Sequence, residues 1–235
     1  MVPAVPVYLE IGRNRTFAGA IEWPGWCRSG RNEAEALATL VAYGPRYARA
    51  IDSEPHQFQA PEDVSSLQVV ERLVGNSGTD FGAPSVPSTG DALPPNTVDG
   101  ERLMSLLGAA WHAFDAASEA AAGLALRKGP RGGGREIDKM VQHVFEGDQA
   151  YLRELGGAPP KQTSDDVNRR LAAVRDAGIR TFLTRQAGLE PKPGPRRTRP
   201  FWSLRFFVRY SAWHALDHGW EVEDRAIPSI VHGPE

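Results

Sequence analysis

The pattern of apolar and polar positions changes about one third of the way along the 235-residue chain. Near the start, apolar residues alternate with other residues over positions 5–11 and 17–23, and a Gly-Arg-Asn-Arg turn separates the two runs. Alternation with a period of two is typical of half-buried strands. We therefore predict a β-hairpin here, with further strands around Phe58 and over residues 67–74.

A helix is predicted after the hairpin. Asn32 is followed three positions later by Glu35, as in a capping box, and the apolar residues of the next turns lie on one helical face. Gly44-Pro45 must kink or interrupt this helix, because a proline ring clashes with the preceding turn and removes a backbone donor. The strands and this short helix together predict a small α+β module.

The rest of the chain predicts a different kind of structure. Residues 75–96 are rich in glycine and proline and have few large apolar residues, which indicates a boundary. Beyond it, apolar positions recur at helical spacing over residues 98–126, 136–155, 164–188 and 201–224. Four amphipathic helices joined by loops favour a four-helix bundle. The predicted fold class is α+β in two parts, with the small module at residues 1–90 and the bundle at residues 91–235.

The composition narrows the classes of function. Apolar residues make up 41% of the chain and charged residues 24%, which is ordinary for a globular protein. A formal net charge of −2 gives no overall basic field for nucleic acid. The sequence contains no run of about 18 apolar residues that would cross a membrane. We expect neither nucleic acid nor a membrane as a partner.

The single cysteine bears on redox chemistry and on location. Cys27 alone excludes an internal disulfide and a cysteine-rich metal cluster. It fits a reducing compartment, and the N-terminal residues lack the charged start and apolar core of a signal peptide. We therefore expect a cytoplasmic protein in which Cys27 is a packed residue and not a nucleophile.

The strongest chemical signal is in the last predicted helix. His214 and His218 are four residues apart, so their Cβ atoms lie about 5–6 Å apart on one helical face. Two imidazoles at that spacing can bind one metal ion, although a pairing without function is equally compatible with the motif alone. A catalytic metal commonly has three protein ligands and an open position. A third ligand is therefore required from elsewhere in the chain.

The third ligand has one favoured candidate and one rival. His143 lies mid-way along the second bundle helix, where it can face the interior opposite the last helix. His112 is the rival on the first bundle helix. The remaining histidines are His56, in an irregular segment, and His232, in the C-terminal tail. We predict that His143 completes a three-histidine metal site with the pair on the last helix.

Glu221 is the candidate catalytic group beside this site. It follows His218 by three residues and His214 by seven, so all three lie on roughly the same helical face. A carboxylate there can orient a metal ligand or accept a proton. The competing interpretation is a solvated charge near the end of the helix.

The bundle segment resembles the DinB/YfiT superfamily over about residues 96–227. The resemblance rests on His143 in MVQHVFEGDQAYLRELG and on His214 and His218 in FVRYSAWHALDHGWEVEDR. It implies a four-helix bundle that binds one divalent metal ion, often zinc, nickel or iron, through three histidines. It also implies a relationship to thiol-dependent S-transferases and isomerases that use a low-molecular-weight thiol such as mycothiol or bacillithiol.

The N-terminal part has a second, shorter resemblance. FAGAIEWPGWCRSGRNEAEALATL, residues 17–40, is similar to the HicB antitoxin fold, in which a strand, a Pro-Gly turn, a second strand and a helix follow one another. The resemblance implies a partly β, RNase-H-like module without catalytic carboxylates. It favours a role in binding or dimerisation over a second active site.

The expected function is that of a metal-dependent enzyme, either a thiol S-transferase or a hydrolase acting on a small electrophile. The expected cofactor is a divalent metal ion, with a thiol such as mycothiol as co-substrate and a small molecule as substrate. An alternative is a non-enzymatic binding or regulatory protein whose HicB-like module recruits a partner. A homodimer in which the metal is purely structural also stays open.

Overall fold

The computed structural model describes residues 4–51, 57–127, 136–161, 164–195 and 197–226, and within them the chain has a mixed α+β fold. Its elements, in chain order, are β1 (Val5–Ile11), β2 (Thr16–Ala20), β3 (Cys27–Gly30), α1 (Glu33–Ala42), α2 (Gly44–Ala50), β4 (Leu67–Val74), α3 (Ser77–Phe81), α4 (Thr97–Ala120), α5 (Ile137–Leu155), α6 (Val167–Gln186) and α7 (Leu204–Arg225). Two short 3-10 helices, Val64–Ser66 and Thr89–Ala92, precede β4 and α4.

The four strands form one mixed sheet in the order β3-β2-β1-β4. β1 pairs antiparallel with β2 and parallel with β4, and β2 pairs antiparallel with β3. The predicted hairpin and the strand at Leu67–Val74 are therefore confirmed. The strand predicted around Phe58 is wrong, because this ring instead packs 5.0 Å from the rings of Trp26 and Tyr47 in the core.

Helices cover both faces of the sheet. On one face, α1 packs over β2 and β3, and α2 joins the same core through Tyr47. The Trp26 Nε1–H, just before β3, donates a 2.8 Å hydrogen bond to the Leu40 carbonyl of α1. On the other face, Tyr8, Phe17 and Cys27 pack against Trp213 of α7. The sheet thus lies between the small helices of the N-terminal part and the last helix of the chain.

The four long helices are present, with ends that differ from those predicted. α4 ends at Ala120, six residues before the predicted end, and α6 begins after Asp166 instead of at position 164. Asp166 is the N-cap because its carboxylate accepts hydrogen bonds from two backbone N–H groups of the first turn. α7 begins after Ser203, whose hydroxyl caps the helix, instead of at position 201. The helix ends are thus set by local capping.

These four helices pack on one another as the bundle prediction requires. α4 packs along α7 and touches α6, while α5 packs between α6 and α7. This arrangement is compatible with a two-part fold. Among the described residues, no helix is both long and apolar enough to cross a bilayer.

The glycine- and proline-rich segment of residues 75–96 connects the two parts by polar contacts and is not an open linker. Glu10 of β1 is fully buried, and its carboxylate accepts hydrogen bonds from the Thr79 hydroxyl and from the backbone N–H groups of Ser85 and Val86. At the end of the same segment, Asp91 pairs with a guanidinium of α7. The segment therefore ties the sheet to the last helix.

Ion pairs also join the N-terminal part to α7. Arg28 lies 2.7 Å from Asp217, and Arg46 lies 2.5 Å from Glu223. Cys27, between these contacts and the sheet core, is 2% exposed. This burial confirms the prediction of a packed cysteine, and it raises the pKa of the thiol to about 12.

Candidate metal centre

The structure brings His143, His214 and His218 together between α5 and α7. One ligand atom from each of the three lies within 4.8 Å of the others. The ring centroids are 4.6 Å apart for the two α7 histidines and 4.8 and 5.3 Å apart for the pairs that include His143. The three residues predicted from the sequence thus occupy one place in the fold.

The spacing of each helix explains this convergence. The two α7 histidines are one turn apart, and Ser203 fixes the start of that helix through a hydrogen bond to the Phe206 N–H. On α5, His143, Gly147 and Tyr151 follow one another at intervals of four and so lie on one face. That face meets α7, because the Tyr151 ring lies 5.3 Å from the ring of His214.

Gly147 makes the close approach of the two helices feasible. A Cβ atom at this position would lie 2.8 Å from Cε1 and 3.3 Å from Nδ1 of His214. Contacts that short do not occur between real side chains, so any other residue here would push the imidazole away. No local pattern predicts this role, because a glycine inside a helix is otherwise only unfavourable.

The three imidazoles differ in their access to solvent. His214 is 5% exposed and lies at the deepest point of the cluster. The His218 side chain keeps 14% of its surface exposed, and His143 is also partly exposed. The cluster is therefore open to solvent on the side of His143 and His218.

Glu221 contacts the cluster and is not simply solvated. Its Oε2 lies 3.2 Å from Nδ1 of His218, and its Oε1 accepts a 2.6 Å hydrogen bond from Arg225. The hydrogen bond with His218, together with the Arg225 guanidinium, outweighs partial burial and lowers the pKa of the Glu221 carboxyl to about 2. An ionised carboxylate only accepts, so Nδ1 of His218 carries a hydrogen and Nε2 is the ring atom that could bind a metal ion.

An aromatic group borders the cluster on the other side. Tyr151 contacts Tyr210 with ring centroids 5.1 Å apart and stacks on Trp202 at 5.5 Å. Burial, with Tyr210 beside it, raises the pKa of the Tyr151 hydroxyl, which therefore stays a neutral donor. Sequence reasoning missed Tyr151, although its spacing of eight residues from His143 was the available signal.

The rival third ligand lies elsewhere. His112 is exposed on α4 and lines a cleft with Arg49 and Trp220, outside the histidine cluster. His56 and His232 lie outside the described residues.

The donor set fits a transition metal in its chemistry, whereas its spacing is wider than a bound ion requires. Imidazole is a good ligand for zinc, nickel and iron. Two nitrogens bound to a tetrahedral zinc ion are about 3.3 Å apart, given zinc–nitrogen bonds of about 2.0–2.1 Å. The ligand atoms here are up to 4.8 Å apart, so binding a metal calls for the histidine rings to close by up to about 1.5 Å through side-chain rotation.

The Glu221–His218 contact strengthens this fit. A histidine that binds a metal usually donates its other ring N–H to a carboxylate, which fixes the tautomer and the orientation of the ring. His218 has this partner in place. Both side chains are partly buried, so this contact differs from a surface pair that is surrounded by solvent.

Comparisons with known proteins do not add a family. The chain matches no protein-family model, and no curated protein or solved structure is significantly similar to it. The resemblances to DinB/YfiT and HicB proteins therefore stay predictions from the sequence.

Proposed function

We propose that this protein is a metal-dependent enzyme of the DinB/YfiT type in which His143, His214 and His218 hold one divalent ion, zinc, nickel or iron. The observation that carries the proposal is the convergence of three imidazoles from two helices within 4.8 Å. Histidines alone form this ligand set, so it would leave the ion doubly positive, with positions open for a substrate.

The reaction class follows from that charge. A divalent ion at this place supplies Lewis-acid chemistry and lowers the pKa of a thiol or of water. The proposed activity is transfer of a low-molecular-weight thiol such as mycothiol to a small electrophile, with hydrolysis of such an electrophile as the related outcome. The partly exposed side at His143 and His218 is where the thiol and the electrophile would reach the ion.

The protein groups around the site have distinct parts in this proposal. Glu221 holds the ring of His218 in one tautomer and is held in turn by Arg225. The Tyr151 ring packs on His214 and keeps water from that imidazole, and its neutral hydroxyl is a hydrogen-bond donor close to the cluster. Gly147 leaves the space that His214 occupies.

Metal analysis tests the site. We expect the full chain, purified without added metal or after loading with zinc, to hold roughly one ion per molecule. His214→Ala should lose most of that metal and keep its helical circular dichroism. His112→Ala is the matched control, because this exposed histidine lies outside the cluster. Unchanged metal content in His214→Ala would reject the assignment.

A second measurement tests the reaction. The metal-loaded chain is incubated with a thiol and a small electrophile, and both thioether formation and hydrolysis are followed by mass spectrometry. Metal-dependent turnover that is lost in His143→Ala supports an enzyme. Full metal loading without either product would reject thiol transfer and hydrolysis of the electrophile tested. A chain that binds no metal at all would favour the non-enzymatic binding protein.

A further inference from the structure

A cavity lies between α5 and α6, separate from the candidate metal centre. Its volume is about 170 Å³. Phe145 and Gln149 of α5 line it, and each follows a residue of the histidine face, His143 or Gly147, by two positions. Two positions correspond to about 200° around a helix, so the cavity opens on the opposite side of α5.

The polar part of the cavity is cationic. Its lining contains Lys161, Arg169 and Arg170, together with a hydroxyl from Ser164, and no carboxylate among the residues that the structure describes. Arg169 is mostly exposed and lies 3.7 Å from the Asp166 carboxylate, so part of its charge is already balanced. The remaining positive charge favours an anion in this space.

Arg170 is the residue best placed to bind that anion. Its guanidinium lies over the Phe145 ring, with Cζ 4.8 Å from the centroid, and its Nη2–H donates a 3.4 Å hydrogen bond to Gln142. Its Nε is buried and has no hydrogen-bond partner among the residues that the structure describes. A buried donor without an acceptor is unfavourable. Because this Nε is shielded from solvent, the carboxylate would bind the rest of the half-buried Arg170 guanidinium through charge-assisted hydrogen bonds.

The other part of the cavity is apolar. Phe145 and Val174 are each 2% exposed, and Pro160 and Ala173 complete the apolar lining. A cavity of about 150 Å³ is known to hold a benzene molecule, so this volume accepts one small ring with a charged substituent. The guanidinium stacked on Phe145 lies at the junction of the two parts.

We propose that this cavity binds a small aromatic carboxylate, with the carboxylate on Arg170 and the ring among Phe145, Ala173 and Val174. The charge of the lining selects the anion, and the apolar residues select the ring. The site is independent of the metal centre, because α5 separates the two.

Titration calorimetry on the full chain tests the selection of the ligand, with benzoate as the probe. Benzamide has the same ring without the charge, and acetate has the charge without the ring. We expect benzoate to bind at least tenfold more tightly than either. Absence of benzoate binding, or equal binding of acetate or benzamide, would overturn the proposal.

Two variants test the location of the site. Arg170→Gln should weaken benzoate binding at least tenfold, and Ala173→Leu should do the same by filling the cavity without changing its charge. Arg180→Gln, on the same helix but outside the lining, is the matched control and should bind as the wild type does. Circular dichroism confirms folding of each variant, and full benzoate binding in both folded cavity variants would place the ligand elsewhere.

Discussion

A Cβ atom added to Gly147 of α5 would lie 2.8 Å from Cε1 of His214 on α7. The position of the buried imidazole therefore depends on the absence of a side chain on the neighbouring helix. The geometry of the histidine cluster is shaped by this contact as much as by the histidines themselves.

We expect Gly147→Ala to displace His214 and to weaken metal binding about 10- to 100-fold, the range found when the support of a ligand is lost. Competition with a chelator measures the affinity. Gly108→Ala is the matched control, because a Cβ atom there meets nothing within 4 Å. That control should gain up to about 1 kcal/mol of stability from helix propensity and bind metal normally. Equal affinity in both variants would show that the ring has room to move.

Replacing Glu221 should affect the metal without removing a ligand. Glu221→Gln can no longer hold His218 through an ionised acceptor, so we expect roughly 10- to 100-fold weaker metal binding with the fold intact. Glu223→Gln is the control on the same helix, since that carboxylate instead pairs with Arg46 of α2. If both variants bind metal equally well, Glu221 has no part in the site.

The ion pair between Arg209 and Asp91 should dominate the stability of the contact between the N-terminal part and α7. The two side chains are 4% and 5% exposed, and Arg209 also donates to the Tyr8 hydroxyl. Arg209→Leu leaves a buried carboxylate unpaired, so we expect a loss of about 3–5 kcal/mol in urea unfolding. Arg209→Leu combined with Asp91→Leu should recover much of that loss.

Arg205 is the comparison for this prediction. It pairs with Asp99 at 2.7 Å, but the two side chains are 19% and 41% exposed. Arg205→Leu should therefore cost no more than about 1 kcal/mol. A loss as large as that of Arg209→Leu would mean that burial does not decide the strength of these pairs.

Stability should fall between about pH 4 and 6 because of Asp148. Burial outweighs the nearby Arg175 guanidinium, with a small addition from Asp115, and raises the pKa of Asp148 from 3.8 to about 6. The folded state thus favours the protonated acid. This contribution to stability is complete below the unfolded pKa and is lost as the pH rises through the folded pKa.

The matched variant for this effect is Asp148→Asn, which cannot titrate. Relative to it, the wild type should lose up to ~3 kcal/mol of unfolding free energy between pH 4 and 7, the size of a shift of about two pKa units. Urea titrations at several pH values measure the difference. A constant difference across this range would show that Arg175 keeps the carboxylate ionised in the folded chain.

Local patterns predicted much of the fold. Alternation predicts the hairpin of β1 and β2, and a short apolar run predicts β4. The capping pattern at Asn32 predicts α1, and helical periodicity predicts all four long helices. The strand prediction around Phe58 fails because a short apolar run does not by itself determine the type of secondary structure. In the structure, the Phe58 ring fills the core beside Trp26. Helix ends were missed where a cap such as Asp166 competes with equally suitable neighbours.

The candidate site was predictable only in part. The spacing of His214 and His218 and the mid-helix position of His143 are local facts, and the structure brings the three together. The roles of Gly147 and Tyr151 arise from the way α5 meets α7, which no local pattern encodes. Contacts between distant segments, such as the burial of Asp91 by an arginine of α7, are invisible for the same reason.

The helix α7 packs on two sides. Its histidine side faces α5, while Trp213 and Arg209 face the sheet. A fragment that contains only the C-terminal part would expose the indole of Trp213 and the guanidinium of Arg209, which are now about 95% buried. Such a fragment would have a newly exposed apolar patch and would tend to self-associate. For this reason, we expect the C-terminal part to be stable only together with the N-terminal sheet that covers α7.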